Sequence, residues 1–207
     1  MLSAAILAGG QATRFGGLDK GALRVEGRSI RERQLAELAM LSGDALDVMI
    51  VGGPPAPLVP SGAFRWVADR EPGLGPLGGV HTALLEAAGD PVIVLACDMP
   101  YVSAPLLGHL RALARGFDAV VPRTEGGYHP LCAVYARTCV EPIARRLAAG
   151  QLKMASLFDD VRVREVGVEE LRTFGDVDRL LANVNSPADH EDLVAHERPQ
   201  SRRGHQR

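Results

Sequence analysis

The sequence predicts an α/β fold, one domain whose open, mostly parallel sheet carries helices on both faces. Three observations point there. Apolar runs of strand length recur along the chain, and they alternate with stretches whose apolar residues fall every third or fourth position. The first of these runs is apolar throughout and does not alternate, which suits a strand buried on both faces. A chain of 207 residues that is 46% hydrophobic can bury a core of that kind.

Residues 3–8 form the first strand and run into Gly9-Gly10. Ser29 is placed to cap a helix with Ile30, Gln34, Leu38 and Leu41 on one face, and Gly43 offers a left-handed stop. Residues 47–51 and 64–67 read as strands, joined by a segment whose four prolines favour an exposed, extended connection. The glycine cluster 73–79 precedes a helical pattern through Val80, Leu84, Leu85 and Ala88, with Gly89 as its expected stop. Residues 92–96 are the most strand-like run, and they deliver Cys97-Asp98-Met99-Pro100. A helix from Ser103 through Leu107, Leu110 and Leu113 to Gly116 follows, then strands at 119–121 and 131–135 that can pair. A helix at 140–149, a strand at 161–166 and a short helix after Pro187 complete the pattern. The domain is expected to span 1–194, with a disordered tail at 195–207 carrying Arg198, Arg202, Arg203 and Arg207.

Composition narrows the function. With 23 basic and 25 acidic residues, no global positive field exists to gather nucleic acid or anionic lipid, so an anionic ligand must be held by local groups. Cys97, Cys132 and Cys139 form no metal or disulfide spacing, as expected of a reducing cytoplasm. The apolar opening lacks a basic leader and is too short to span a membrane.

The chemistry concentrates after the first strand. Leu7-Ala8-Gly9-Gly10-Gln11-Ala12-Thr13-Arg14-Phe15-Gly16-Gly17-Leu18-Asp19-Lys20 places four glycines and two cations in one loop. Glycines allow backbone N–H groups to converge as an anion nest, and Arg14 and Lys20 add charge. A Walker loop is excluded because Lys20 lies between Asp19 and Gly21, and the five-residue spacer between glycine pairs does not fit GxGxxG. Ligands in open α/β sheets bind beyond the carboxyl ends of the strands, which selects this loop, Asp69 and Asp98. Asp98 suits a hard oxygen ligand for Mg²⁺, and reads also as a cap on the turn before Pro100. Asp69 can accept paired hydrogen bonds from the N1–H and N2–H₂ edge of guanine, and reads equally as a solvated acid beside Arg70 and Glu71. Asn183 and Asn185 occupy alternate positions, so an extended segment would aim both amides the same way, although an Asn-rich turn before Pro187 accounts for them too.

The first loop resembles the LAGGxSxRMGxDK signature of the molybdenum cofactor guanylyltransferases and their nucleotidyltransferase relatives. Later landmarks match in order: Asp69 before Gly73-Leu74-Gly75-Pro76-Leu77-Gly78-Gly79, then Cys97-Asp98-Met99-Pro100, His129-Pro130, and Asn183-Val184-Asn185-Ser186-Pro187. The sequence departs from the signature with Ala12 for Ser, Phe15 for Met, and Gly78 where Ala is common. The resemblance implies a Rossmann-like nucleotidyltransferase fold and transfer of GMP from GTP to molybdopterin, with Mg²⁺ as cofactor. It implies nucleotide contacts at Leu7, Ala8, Gly9, Gly10, Lys20, Gly52, Asp69 and Asp98, with the metal on Asp98 and with Arg14, Lys20 and Asp98 as the catalytic set. Gly52 stands where the family often has Asn, so only a backbone contact carries over. The resemblance places molybdopterin at Asn183 and Asn185; His129 can help bind this second substrate, although a lone His beside Pro is more often structural. Transient contact with molybdenum-insertion or molybdoenzyme partners is expected, but none with nucleic acid or membrane. CTP as donor, another phosphorylated acceptor, or a non-catalytic nucleotide-binding module on the same fold are the rival readings.

Overall fold

The computed structural model describes residues 1–8, 20–41, 46–53 and 64–184. Among the described residues, eight strands form the main sheet. β1 (Leu2–Leu7) lies at its centre, flanked in parallel by β4 (Leu46–Val51) and β6 (Val92–Ala96), and β5 (Arg65–Val67) extends the sheet beyond β4. On the other side β9 (Cys132–Tyr135) runs antiparallel between β6 and β7 (Ala119–Thr124), and β10 (Val163–Val166) closes that edge in parallel with β7. The two-residue β8 (Gly127–Tyr128) folds back on β7, while β2 (Arg24–Val25) and β3 (Arg28–Ser29) form a separate ribbon.

Every residue of β1 is buried, as suits a mostly apolar strand with helices on both sides, and the one polar member, Ser3, donates to Asp47 and accepts from the Gly89 amide. One face packs Ile6, Ile50, Ile93 and Leu95 against Leu38 of α1 (Ile30–Ala39) and Leu106, Leu107 and Leu110 of α3 (Ala104–Ala112). The opposite face packs Leu7, Met49, Val51 and Val94 against Leu77, Val80 and Leu84 of α2 (Gly75–Glu86) and Ile143 and Leu147 of α4 (Val140–Ala148). The expected three-layer arrangement is therefore present.

Ser29 caps α1 as expected. Its hydroxyl accepts from the Glu32 amide while the Glu32 carboxylate receives the Ser29 amide, closing a capping box. α2 differs from expectation in starting inside the glycine cluster at Gly75. A Cβ on Gly79 would sit 3.3 Å from Cδ1 of Leu7, so the missing side chain lets the helix close on β1, and this outweighs the poor helix propensity of glycine. The apolar face of α2 also turns away from Leu85, which is exposed. Gly89 is no left-handed stop. The helix ends at Glu86, and Gly89 is required because a Cβ there would meet the Met1 carbonyl oxygen at 2.4 Å. Two one-turn helices not foreseen from the periodicity, α5 (Val168–Leu171) and α6 (Val177–Leu180), follow β10. Gly43, the proline-rich connection at 54–63, the helix expected after Pro187 and the tail at 195–207 lie outside the described residues. Among those described, no helix is long and apolar enough to cross a membrane.

Candidate functional site

The parallel strands β1, β4, β5 and β6 all end at one edge of the sheet. The β1 exit is stitched there by two backbone bonds: Ala8 donates to the Val51 carbonyl at 2.9 Å, and Cys97 donates to the Leu7 carbonyl at 3.2 Å. Gly52 donates to Val67 at 2.9 Å. The sheet thereby commits the Leu7 carbonyl and the Ala8 and Gly52 N–H groups. Gly52 and Gly53 both have positive φ, and a Cβ on Gly53 would stand 3.3 Å from the Ala8 carbonyl oxygen, so the chain leaving β4 passes close over the end of β1.

Lys20 and Asp98 are 78 residues apart in sequence and meet at this edge, with Nζ 2.9 Å from Oδ2. Both side chains are mostly withdrawn from solvent, 22% and 14% exposed. Asp98 sits in the turn just beyond β6, and that turn is tied down on several sides. Its own carbonyl receives the Val184 amide at 2.9 Å. The fully buried Gln34 donates from Nε2 to the Ala96 and Met99 carbonyls at 2.7 and 3.1 Å, and Arg33 donates from Nε to the Pro100 carbonyl at 2.9 Å. Sequence reasoning counted Gln34 as a member of the helix face and gave it no further part; a polar residue in an otherwise apolar stripe was the available signal.

Asp69 lies two residues past β5 on the same edge. Its Oδ1 accepts from the Thr82 hydroxyl at 3.1 Å and from the Glu71 amide at 3.2 Å. Arg70 pairs instead with Glu86, its Nε 2.9 Å from Oε1. Asp69 is therefore oriented by neutral donors and not neutralised by its neighbouring cation. Thr82, buried within α2, is a second contributor that the sequence pattern did not single out.

The side of the edge beyond β6 holds the remaining candidates. β9 runs against β6, so it begins where β6 ends, and the Ala96 amide donates to the Leu131 carbonyl at 2.8 Å. His129 stands just before that point. Its Nε2 lies 3.0 Å from the Thr124 hydroxyl, and burial lowers its pKa from the usual histidine value. Asn183 is exposed and precedes Val184, which bonds the Asp98 turn and packs with Val25 and Ile30. The fold thus gathers Leu7, Ala8, Lys20, Gly52, Asp69, Asp98, His129 and Asn183 along one edge. Arg14, Gly9, Gly10 and Asn185 lie outside the described residues. Cys132 and Cys139 are buried, and burial pushes both thiols up to about 12; Cys97, Cys132 and Cys139 form no disulfide.

Residues 4–166 match the MobA-like NTP transferase domain. The chain belongs to that family. It is 37% identical over 184 residues to a probable molybdenum cofactor guanylyltransferase of Pelotomaculum thermopropionicum, covering 89% of this chain and 87% of that one. A probable molybdenum cofactor guanylyltransferase of Methanosarcina mazei is 31% identical, with 94% and 90% covered. Among solved structures, the molybdopterin-guanine dinucleotide biosynthesis protein A of Archaeoglobus fulgidus superposes with a TM-score of 0.76 at 24% identity, over 94% of this chain and 98% of that one. The 2-C-methyl-D-erythritol 4-phosphate cytidylyltransferase of Thermus thermophilus shares the fold with a TM-score of 0.68 at 19% identity, over 95% and 98%. The fold is thus common to transferases whose names carry different bases, so it does not by itself select one.

Proposed function

We propose that the protein transfers GMP from GTP to the terminal phosphate of molybdenum-loaded molybdopterin, releasing pyrophosphate. The observation that carries this reading is the Lys20–Asp98 pair at the sheet edge, with Asp69 to one side and His129 and Asn183 to the other. A phosphate oxygen of the acceptor attacks the α-phosphorus of GTP. The new P–O bond forms as the bond to the β-phosphate breaks, and pyrophosphate takes the electron pair. The attacking group is already an anion, so the lack of a nucleophile–base dyad in the sequence motifs is no obstacle.

Charge is the obstacle. Two unit charges about 4 Å apart repel by about 1 kcal/mol in water and about 4 kcal/mol at an effective dielectric of 20, and several such pairs arise when a triphosphate meets a phosphate monoester. Lys20 at the sheet edge is one cation that offsets them, and the sequence adds Arg14 and the N–H groups of the glycine loop. Lys20, held by Asp98 in the ligand-free protein, turns to the phosphates when the triphosphate enters. Fixing these groups beforehand aligns the attack and stabilises the departing pyrophosphate.

Mg²⁺ fits the donor set. Mg²⁺ needs few protein ligands, since one carboxylate suffices when waters and phosphate oxygens fill the other positions. Asp98, whose Oδ2 receives Lys20 at the sheet edge, would be that carboxylate. Bound there, Mg²⁺ would supply Lewis acidity and charge neutralisation at the phosphates. Asp69 reads the guanine edge, while Asn183, Asn185 and His129 hold the acceptor. Incubating the protein with molybdopterin and each labelled nucleoside triphosphate, then weighing the product, tests the proposal. A guanylylated acceptor plus pyrophosphate is expected; product from CTP in preference to GTP, or no product from any triphosphate, overturns it.

A further inference from the structure

Gln34 breaks the pattern of its helix. It lies between Ile30 and Leu38 on the buried stripe of α1, fully withdrawn from solvent, where an apolar residue would satisfy the packing. Its amide nitrogen spans the carbonyls of Ala96 and Met99, which bracket Cys97 and Asp98. Both partners accept only, so the NH₂ group must face them. That orientation leaves Oε1 buried with no partner among the described residues, a costly arrangement for an ordinary core position. The neighbouring Arg33 holds the Pro100 carbonyl, so consecutive residues of one helix hold three carbonyls of residues 96–100.

We propose that Gln34 is a positioning residue for the transfer reaction. It acts through the backbone to hold the Asp98 carboxylate where the metal-bound triphosphate meets it, so that no rearrangement of the turn is needed on binding. The proposal rests on the function argued above and adds a residue that touches neither substrate. Apolar replacement would relieve the stranded Oε1 but release both carbonyls, and misplacing a reacting group by about 1 Å can cost about 100-fold in rate.

The test is Gln34→Met, similar in length and without the donor. Thermal unfolding first establishes that the variant is folded. GTP binding is then measured by calorimetry with EDTA and again with Mg²⁺. The expected result is unchanged affinity in EDTA, loss of most of the Mg²⁺-dependent gain, and a kcat lower by about 10- to 100-fold with little change in the KM for GTP. An unchanged Mg²⁺-dependent gain in a folded variant overturns the proposal, as does an equal loss of affinity in EDTA, which would mark a structural role alone. Should Gln34→Met fail to fold, the wild-type protein still decides: the Gln34 side-chain amide protons should exchange slowly already in the ligand-free protein, and rapid exchange that slows only when Mg²⁺ and GTP are added refutes the role. The metal-dependent binding requires no acceptor, so a wild type that binds Mg²⁺ and GTP yet makes no guanylylated product sinks the acceptor assignment and leaves the Gln34 result to be judged on its own.

Discussion

Replacing Asp98 by Asn keeps the shape of the side chain and leaves the Lys20 ammonium facing a neutral amide. At 2.9 Å, Coulomb attraction between unit charges amounts to about 1.4 kcal/mol in a water-like medium and about 6 kcal/mol at an effective dielectric of 20. Side chains 22% and 14% exposed fall between those limits, and desolvating the two ions consumes part of the gain. A coupling energy of about 1–3 kcal/mol is therefore expected, more than the usual exposed pair contributes. Urea unfolding of the wild type, Asp98→Asn, Lys20→Met and the double variant closes the cycle. Each single change should destabilise the ligand-free protein, and the double variant should be more stable than the sum of the two losses implies. Activity should behave differently: the double variant recovers stability without recovering turnover, because the proposed mechanism uses both groups at the phosphates. Additive stabilities, with coupling under about 0.3 kcal/mol, would refute the claim that the two residues neutralise one another before substrate arrives.

Other consequences can be checked separately. Asp69→Asn should reduce the preference for GTP over ATP and CTP by about 10- to 100-fold in kcat/KM, the worth of a charge-assisted hydrogen bond, and Thr82→Val should reduce it less by releasing Oδ1; an unchanged preference in Asp69→Asn would dismiss the guanine-edge role. Burial lowers the pKa of His129, so below the unfolded value of about 6.5 the unfolded chain takes up a proton that the folded protein refuses. Stability contributed by the neutral ring is thus complete above pH 6.5 and declines as pH falls toward the folded pKa; urea midpoints of His129→Gln should fall less between pH 6.5 and 5 than those of the wild type, and parallel curves would count against it. With the Cys132 and Cys139 thiols pushed up to about 12 by burial, a disulfide reagent at pH 8 should titrate Cys97 alone in the folded protein, and Mg²⁺ with GTP should slow that reaction. Rapid reaction of a second thiol would contradict the burial.

The parts of the fold legible in the sequence are those whose signal is local. Residues 92–96 form a strand with the expected bounds, and Ser29 caps its helix, because an unbroken apolar run and a capping residue need no knowledge of neighbours. The glycine cluster expected to precede the helix continues into α2, since only the close approach of Gly79 to Leu7 shows what its small size allows. One-turn helices such as α6, held by the Asp176 side chain receiving the Arg179 amide, are too short to display a period. For the site, the motif positions of Lys20, Asp69 and Asp98 could be read from residue type and order. Their supports could not: the bonds from Gln34 to Ala96 and from Thr82 to Asp69 depend on how helices cross the sheet, which spacing along the chain does not encode.

The reversed direction of β9 has an evolutionary consequence. Where every strand points the same way, each connection must return across a full layer, and lengthening one disturbs the packing beneath. At the β6–β9 seam the chain instead enters the ligand edge from outside through the short β8 turn, with Leu131 bonded to Ala96 behind it. On the proposed placement of the acceptor, insertions or substitutions in 125–130 would reshape that side while the opposite flank of β6 keeps its geometry.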